Sequence, residues 1–160
     1  DIKSIKKKRT ADGYVFKRRN NYCGKWMRYT SMYPDRKLRL VDKNKAKWGG
    51  YNPHDKLVME HGSTIERLNS SILHWVFRDR DEHKKKLRHF ALLVGKSYHE
   101  AGRKTSRISG LIHTVWRYID ELIIKGGIFS GSLGWQFACL SAKYTFLKYK
   151  ELRKLNATRN

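Results

Sequence analysis

Apolar residues follow two regimes along this chain, and the change comes near residue 78. Before it they sit in short runs or alternate with cations. Tyr14-Val15-Phe16 is a β-prone triplet. Lys37-Leu38-Arg39-Leu40-Val41 alternates with period two, the pattern of a half-buried strand. Leu57-Val58-Met59 is another short strand. Ile72-Leu73-His74-Trp75-Val76-Phe77 is apolar on both faces except at His74, which predicts a buried strand. Pro34-Asp35, Gly49-Gly50, Asn52-Pro53 and His61-Gly62 mark the breaks.

After residue 78 the period becomes helical. In 79–104, Leu87, Phe90, Ala91, Val94, Tyr98 and Ala101 recur at spacings of three and four, and Gly102 closes the segment. In 106–125 an almost unbroken stripe runs from Ile108 to Ile123, ended by Gly126-Gly127. In 130–155, Leu133, Phe137, Leu140, Tyr144 and Leu147 form one stripe, which Trp135, Ala138, Ala142, Phe146 and Tyr149 widen. The 106–125 stripe is expected to be the mutual core of packed helices. For the broader 130–150 stripe, a bundle core and a membrane contact both stand. The class is α+β: short mixed β segments in 1–78, then three amphipathic helices in 79–160.

Charge changes the picture most. The 160 residues, enough for one domain or a large piece of one, carry 36 Lys and Arg against 14 acids, a net charge of +22. That excess points to a polyanion: nucleic acid, a phosphorylated substrate or an anionic membrane surface. An aromatic fraction of 12% excludes a disordered basic tail. Cys23 and Cys139 have no metal-ligand spacing and read as reduced thiols. Nothing near Asp1 resembles a signal peptide, and a start without Met suggests a processed or truncated product. No apolar run reaches the ~20 residues of a membrane-spanning helix.

The candidate chemistry concentrates between Asp12 and Asp55. Asp55, after His54, stands where a carboxylate could take a proton from an attacking hydroxyl. Trp48 with Gly49 and Gly50 would offer a platform to a sugar face. Spacing alone favours a turn residue that binds its own backbone for Asp55. Arg36, Lys37 and Arg39, with Arg18 and Arg19, are candidate phosphate contacts, or the solvated face of strands. His74 alone reads as a core histidine, with a metal or phosphate contact as the alternative. Asp79-Arg80-Asp81 fits a metal-diphosphate motif or a helix N-cap, and the cap is favoured. There is no phosphate-binding glycine loop, dinucleotide fingerprint or nucleophile elbow.

An ordered set of segments carries a resemblance: Ala11-Asp-Gly-Tyr-Val-Phe-Lys-Arg-Arg-Asn, Gly24-Lys-Trp, Tyr33-Pro-Asp-Arg-Lys-Leu-Arg-Leu, Asn52-Pro-His-Asp, Leu73-His-Trp, Glu82-His83, the turn from Gly126 to Gly131, and Phe146 to Arg153. Together they resemble the C-terminal half of family 2, GT-A-type glycosyltransferases, in the branch similar to bacterial lipopolysaccharide-core glucosyltransferases. The resemblance implies an inverting transfer from a nucleotide-sugar to a lipid-linked saccharide acceptor in cell-envelope synthesis. It implies Asp55 as catalytic base beside His54, and His74 as a late approach to the metal or diphosphate. The divalent metal, Mg2+ or Mn2+, would be held mainly by an N-terminal nucleotide-sugar-binding half that precedes the segment matching Ala11 to Asn20. Without that half the chain is expected to be inactive. On this reading 1–78 is the acceptor and catalytic segment. Residues 79–160 form a helical region suited to an anionic membrane, with Trp116, Phe129, Trp135, Tyr144 and Tyr149 near cations. The expected location is cytoplasmic, peripheral on the inner face of the bacterial inner membrane.

Two rivals share the charge. A nucleic-acid-binding module would bind with steep salt dependence, but no RNA- or DNA-binding motif is present and no nucleic acid is expected as partner. A membrane-surface scaffold without chemistry would share the lipid contact and lack the transfer.

Overall fold

A computed structural model describes residues 1–49 and 56–158. In chain order the elements are α1 (Ile2–Lys7), β1 (Gly13–Tyr22), β2 (Lys25–Trp26), β3 (Asp35–Val41), β4 (Ala46–Gly49), β5 (Lys56–Met59), β6 (Ile65–Phe77), α2 (Arg80–Glu100), α3 (Arg107–Ile119) and α4 (Ser132–Ala157). A π-helical turn, Asp120–Ile124, continues α3, and short 3-10 turns occupy Thr30–Met32 and Gly127–Ser130. The class is mixed α+β.

β1 is the spine of the main sheet. β6 runs parallel along one side of it, from Gly13 beside Ile65 to Tyr22 beside Phe77. The other side is shared by two antiparallel strands. β3 pairs Gly13 through Arg18, and β2 folds back on Asn21 and Tyr22. The β1–β2 turn needs two residues with positive φ, supplied by Cys23 at 49° and Gly24 at 86°. β4 and β5 form a separate two-stranded sheet. Its Met59 sulfur lies 3.3 Å from where a Cβ on Gly13 would stand, so the hairpin abuts the start of β1.

Alternation gives β1 two unlike faces. Tyr14, Phe16, Asn20 and Tyr22 are buried on one. Tyr22 packs with Met27, Met32 and Phe137, so one core joins the sheet to α4. His83 of α2 completes it: its ring stacks on Phe77 at 4.1 Å and its Nδ1 lies 3.0 Å from the Tyr22 hydroxyl. Burial pushes the His83 imidazole down to about 4 and raises the Tyr22 phenol.

β6 is not the strand buried on both faces that its composition predicts. Leu73 is 49% exposed and Trp75 62%. The helices cover only the face shared with Tyr22, and among the described residues β6 pairs with no strand but β1.

Asp79 caps α2: its Oδ1 accepts from the Asp81 and Glu82 amides at 2.9 and 2.8 Å, and Glu82 reaches back to the Arg78 amide at 2.7 Å. The Asp79-Arg80-Asp81 motif is therefore a helix start. α4 is flanked on two sides. α2 runs parallel to it, joined by Gly95 against Glu151 and by His99 Nδ1 at 2.8 Å from Asn156 Oδ1. α3 runs antiparallel, with Gly110 against Tyr149. The α3–α4 reversal is tight, since a Cβ on Gly134 would lie 1.8 Å from the Gly127 carbonyl oxygen.

The expectation that the 106–125 stripe forms a bundle core is overturned. Ile108, Leu111, Ile112, Val115 and Trp116 are all exposed, and α3 packs on α4 through Gly110 and His113 against Tyr149, with Arg117 beside Ser141 and Tyr144, instead. The α4 stripe does turn inward at Phe137, Ala138 and Leu152, while Trp135 and Phe146 stay outside.

Gly134→Ala should cost about 3 kcal/mol or more, because the clash is with backbone that cannot step aside; urea unfolding measures it. His83 should make the fold acid-sensitive. Its folded pKa lies near 4 against an ordinary value of 6.5. Its stabilising contribution is therefore complete above pH 6.5 and is lost as pH falls toward 4, by about 3 kcal/mol. Unfolding midpoints across that range should show an acid limb that shrinks in His83→Asn.

Candidate functional site

The polar centre of the sheet lies where β1 and β6 run side by side. Arg18 and Asn20 are two residues apart and share a face, and parallel register places His74 beside Asn20. Antiparallel register places Asp35 beside Arg18. The Arg18 guanidinium donates to Asp35 Oδ2 at 2.7 Å, and Asn20 Nδ2 donates to the same oxygen at 2.9 Å and to the Met32 carbonyl at 2.8 Å. Burial alone would raise the Asp35 pKa. These donors outweigh it and hold the carboxyl below its ordinary range.

The network fixes a histidine tautomer. Both Asn20 amide hydrogens are committed, so Asn20 Oδ1 is the acceptor for His74 Nδ1–H at 2.8 Å. Burial, then the charge on Arg18, lowers the His74 pKa. The imidazole is thus neutral near pH 7, with its lone pair on Nε2. Among the described residues Nε2 has no hydrogen-bond partner. A neutral imidazole oriented through its other nitrogen is the usual form of a metal-ligating histidine.

The opposite face of β1 is cationic and aromatic. Lys17, Arg19, Trp26, Arg28, Tyr29 and Tyr33 line a cleft of about 560 Å³. The Arg19 guanidinium sits over Trp26 and the Lys17 ammonium over Tyr33, each 5.5 Å from the ring centre. Trp26 meets Trp75 edge-on at 5.4 Å. Cations held against rings suit a ligand with both sugar or base faces and phosphate. A second cavity, about 350 Å³ between β6, α2 and α4, has mostly apolar walls with Lys86, Arg117 and Ser141 among its lining residues.

The predicted residues divide across these features. Lys37 lies 3.7 Å from Asp35, and Arg39 is near enough to His74 to depress its pKa, so both belong to the histidine side. Arg36 pairs with Lys17 on the cleft side. Trp48, 65% exposed, and Gly49 lie on β4 in the separate hairpin, and among the described residues no hydrogen bond, ion pair or ring contact joins them to His74. Gly50, His54 and Asp55 lie outside the described residues. Among the described residues no group of three or more His, Cys, Asp or Glu could hold a metal ion. His74 therefore fits a divalent metal as one nitrogen ligand and no more. Asn20, Asp35, Lys17 and Trp26 were not singled out as site residues from sequence. The available signal was the Arg18-x-Asn20 alternation, which puts a cation and an amide on one face of a strand.

No protein-family model and no solved structure matches the chain.

Asn20→Ala should free His74 to change tautomer and leave the Met32 carbonyl unpaired, at about 1–3 kcal/mol. Long-range proton–nitrogen NMR of the His74 ring should show the Nδ1–H form in the parent and a mixture in the variant. An unchanged tautomer would remove Asn20 from its positioning role.

Proposed function

We propose that this chain is the acceptor-side portion of an inverting glycosyltransferase that moves a sugar from a nucleotide-sugar to a lipid-linked saccharide. The observation that carries the reading is the Arg18–Asp35–Asn20–His74 network, built from segments of the ordered set that resembles GT-A-type family 2 enzymes. It holds a neutral imidazole, its Nε2 unpartnered among the described residues, beside several cations. The cleft of Lys17, Arg19, Trp26 and Tyr33 supports it further, as a surface for a ligand with both rings and phosphate.

In this reading the acceptor hydroxyl attacks the anomeric carbon while the bond to the leaving diphosphate breaks. Asp55 takes the hydroxyl proton, and inversion follows from attack opposite the leaving group. Trp48 and Gly49–Gly50 contact the saccharide, Lys37 and Arg39 hold phosphate oxygens on the His74 side, and Arg36 does so on the cleft side beside Lys17. A divalent ion, when bound, would neutralise charge developing on the diphosphate. His74 would give it one neutral nitrogen, with the carboxylate ligands supplied by a nucleotide-sugar-binding half. Arg18 and Asn20 act through His74, fixing its orientation and protonation.

In the enzyme carrying both halves, Asp55→Asn should lower kcat by about 10²- to 10⁴-fold, the usual share of a positioned general base. Donor KM should stay near the parent value. Radiolabelled sugar transfer measures both, and a parental kcat would remove Asp55 as the base.

A further inference from the structure

α3 is turned inside out. The side packed on α4 is small or polar: Gly110 lets Tyr149 approach to 3.2 Å from where a Cβ would stand, His113 stacks on Tyr149 at 4.8 Å, and Arg117 lines a cavity with Ser141 and Tyr144 of α4. The free side is Ile108, Leu111, Ile112, Val115 and Trp116, between 53 and 70% exposed. The π turn extends that row with Ile123 and Ile124, and the following 3-10 turn adds Ile128 and Phe129, the last 74% exposed. Such a run is unusual in a chain whose mean hydropathy is −0.75. A continuous apolar helical face left in water is a site for an apolar partner.

We propose that this face, from Ile108 to Phe129, lies in the headgroup region of an anionic bilayer, with α3 parallel to the membrane plane. Charge identifies the occupant. Arg103, Lys104, Arg107, Lys143, Lys150 and Lys154, on α3, α4 and the turn before α3, are exposed, and Arg107 and Lys150 line one cavity with Leu111 of the apolar row. Between 101 and 158 the acids are Asp120, Glu121 and Glu151. The first two are ion-paired to Arg117 and Lys125. An apolar face with a cationic rim is the pattern of a helix lying on anionic lipid, where each cation near the surface adds about 1 kcal/mol. A second copy would bring two cationic rims together in a chain of net charge +22. A protein partner needs roughly one hydrogen bond per 100–200 Å², and of the five exposed apolar side chains on α3 only the Trp116 indole donates. No helix among the described residues is long and apolar enough to cross a membrane, so the contact is with the surface.

The position has a consequence for the cleft. Tyr29 lines it and also packs on Phe129 with ring centres 5.5 Å apart. Seating Phe129 among acyl chains sets Lys17 and Arg19 close to headgroup level, where lipid-linked phosphate lies. The docking inference goes beyond the transfer reading and stands without it.

The test is co-sedimentation of the 160-residue chain with sucrose-loaded phosphatidylcholine vesicles, with and without phosphatidylglycerol. The parent should bind the anionic vesicles more tightly and retain part of that binding in high salt. Ile112→Glu/Val115→Glu should weaken it about tenfold or more, since two inserted apolar side chains become charged. Both positions face solvent, so the melting temperature should hold. Ile128→Glu/Phe129→Glu, on a separate turn, should do the same if the first pair perturbs folding. Three results overturn the proposal: no binding of the parent to anionic vesicles, parental binding by both variants, or a parent dimer in sedimentation velocity that the substitutions abolish without vesicle binding. Sugar transfer to a water-soluble acceptor by the enzyme with both halves reads the catalytic proposal separately, because that reaction needs no membrane.

Discussion

Glu121 is the constraint on which the joint between sheet and helices depends. Its side chain is fully buried. A carboxylate taken out of water costs several kcal/mol unless partners replace the solvent. Here they come from three segments: the Arg117 guanidinium at 2.9 Å on α3, the Lys125 ammonium at 3.5 Å beyond the π turn, and the Ser31 amide at 2.7 Å in the 3-10 turn before β3. Thr30 supports the same joint. It holds a left-handed backbone at φ 69° while its amide donates to the Lys125 carbonyl at 2.8 Å. A β-branched residue occupies that conformation only when its surroundings impose it. The π turn therefore has a fixed geometry, and with it the direction in which α3 leaves and α4 returns.

That joint also sets the relation between the two faces of β1. Met32 ends the Thr30–Met32 turn, and its carbonyl receives one Asn20 amide hydrogen while its side chain joins the core of Tyr22 and Phe137. The buried carboxylate, the histidine network and the apolar core thus meet within three consecutive residues. On the other side of the strand, Lys17 and Arg19 stay in the open cleft because alternation sends them there. One strand supplies a structured polar centre on one face and a cationic, aromatic cleft on the other.

The helical layer follows a different logic. α4 is covered by α2 and α3 and buries its inward stripe, while α3 spends its polar side on α4 and leaves its apolar side free. Hydrophobic burial within the chain would favour the reverse orientation. The close packing of Gly110 on Tyr149 and the anchoring of Arg117 to Glu121 hold the helix as it is. The apolar free energy is then available to an external surface, and the concentration of cations around it favours an anionic one.

Local pattern in the sequence determined the α+β class, the helix segments, the strand at 37–41, the turn at His61-Gly62 and the N-cap at Asp79, because each depends on neighbours a few positions away. It also marked His74, Arg36, Lys37 and Arg39 as chemically notable and placed cations on β1. Tertiary structure decided the rest. His74 acquired a tautomer only when parallel register put Asn20 beside it, and Asp35 joined only through antiparallel register with β3; both pairings join residues far apart in sequence. Asp55, His54 and Gly50 rest on sequence alone. The apolar stripe of α3 was legible as a stripe, but periodicity records that one side differs from the other and not which side meets the protein. That choice was made by Gly110 meeting Tyr149 of α4, far along the chain, and by the buried Glu121 that holds Arg117.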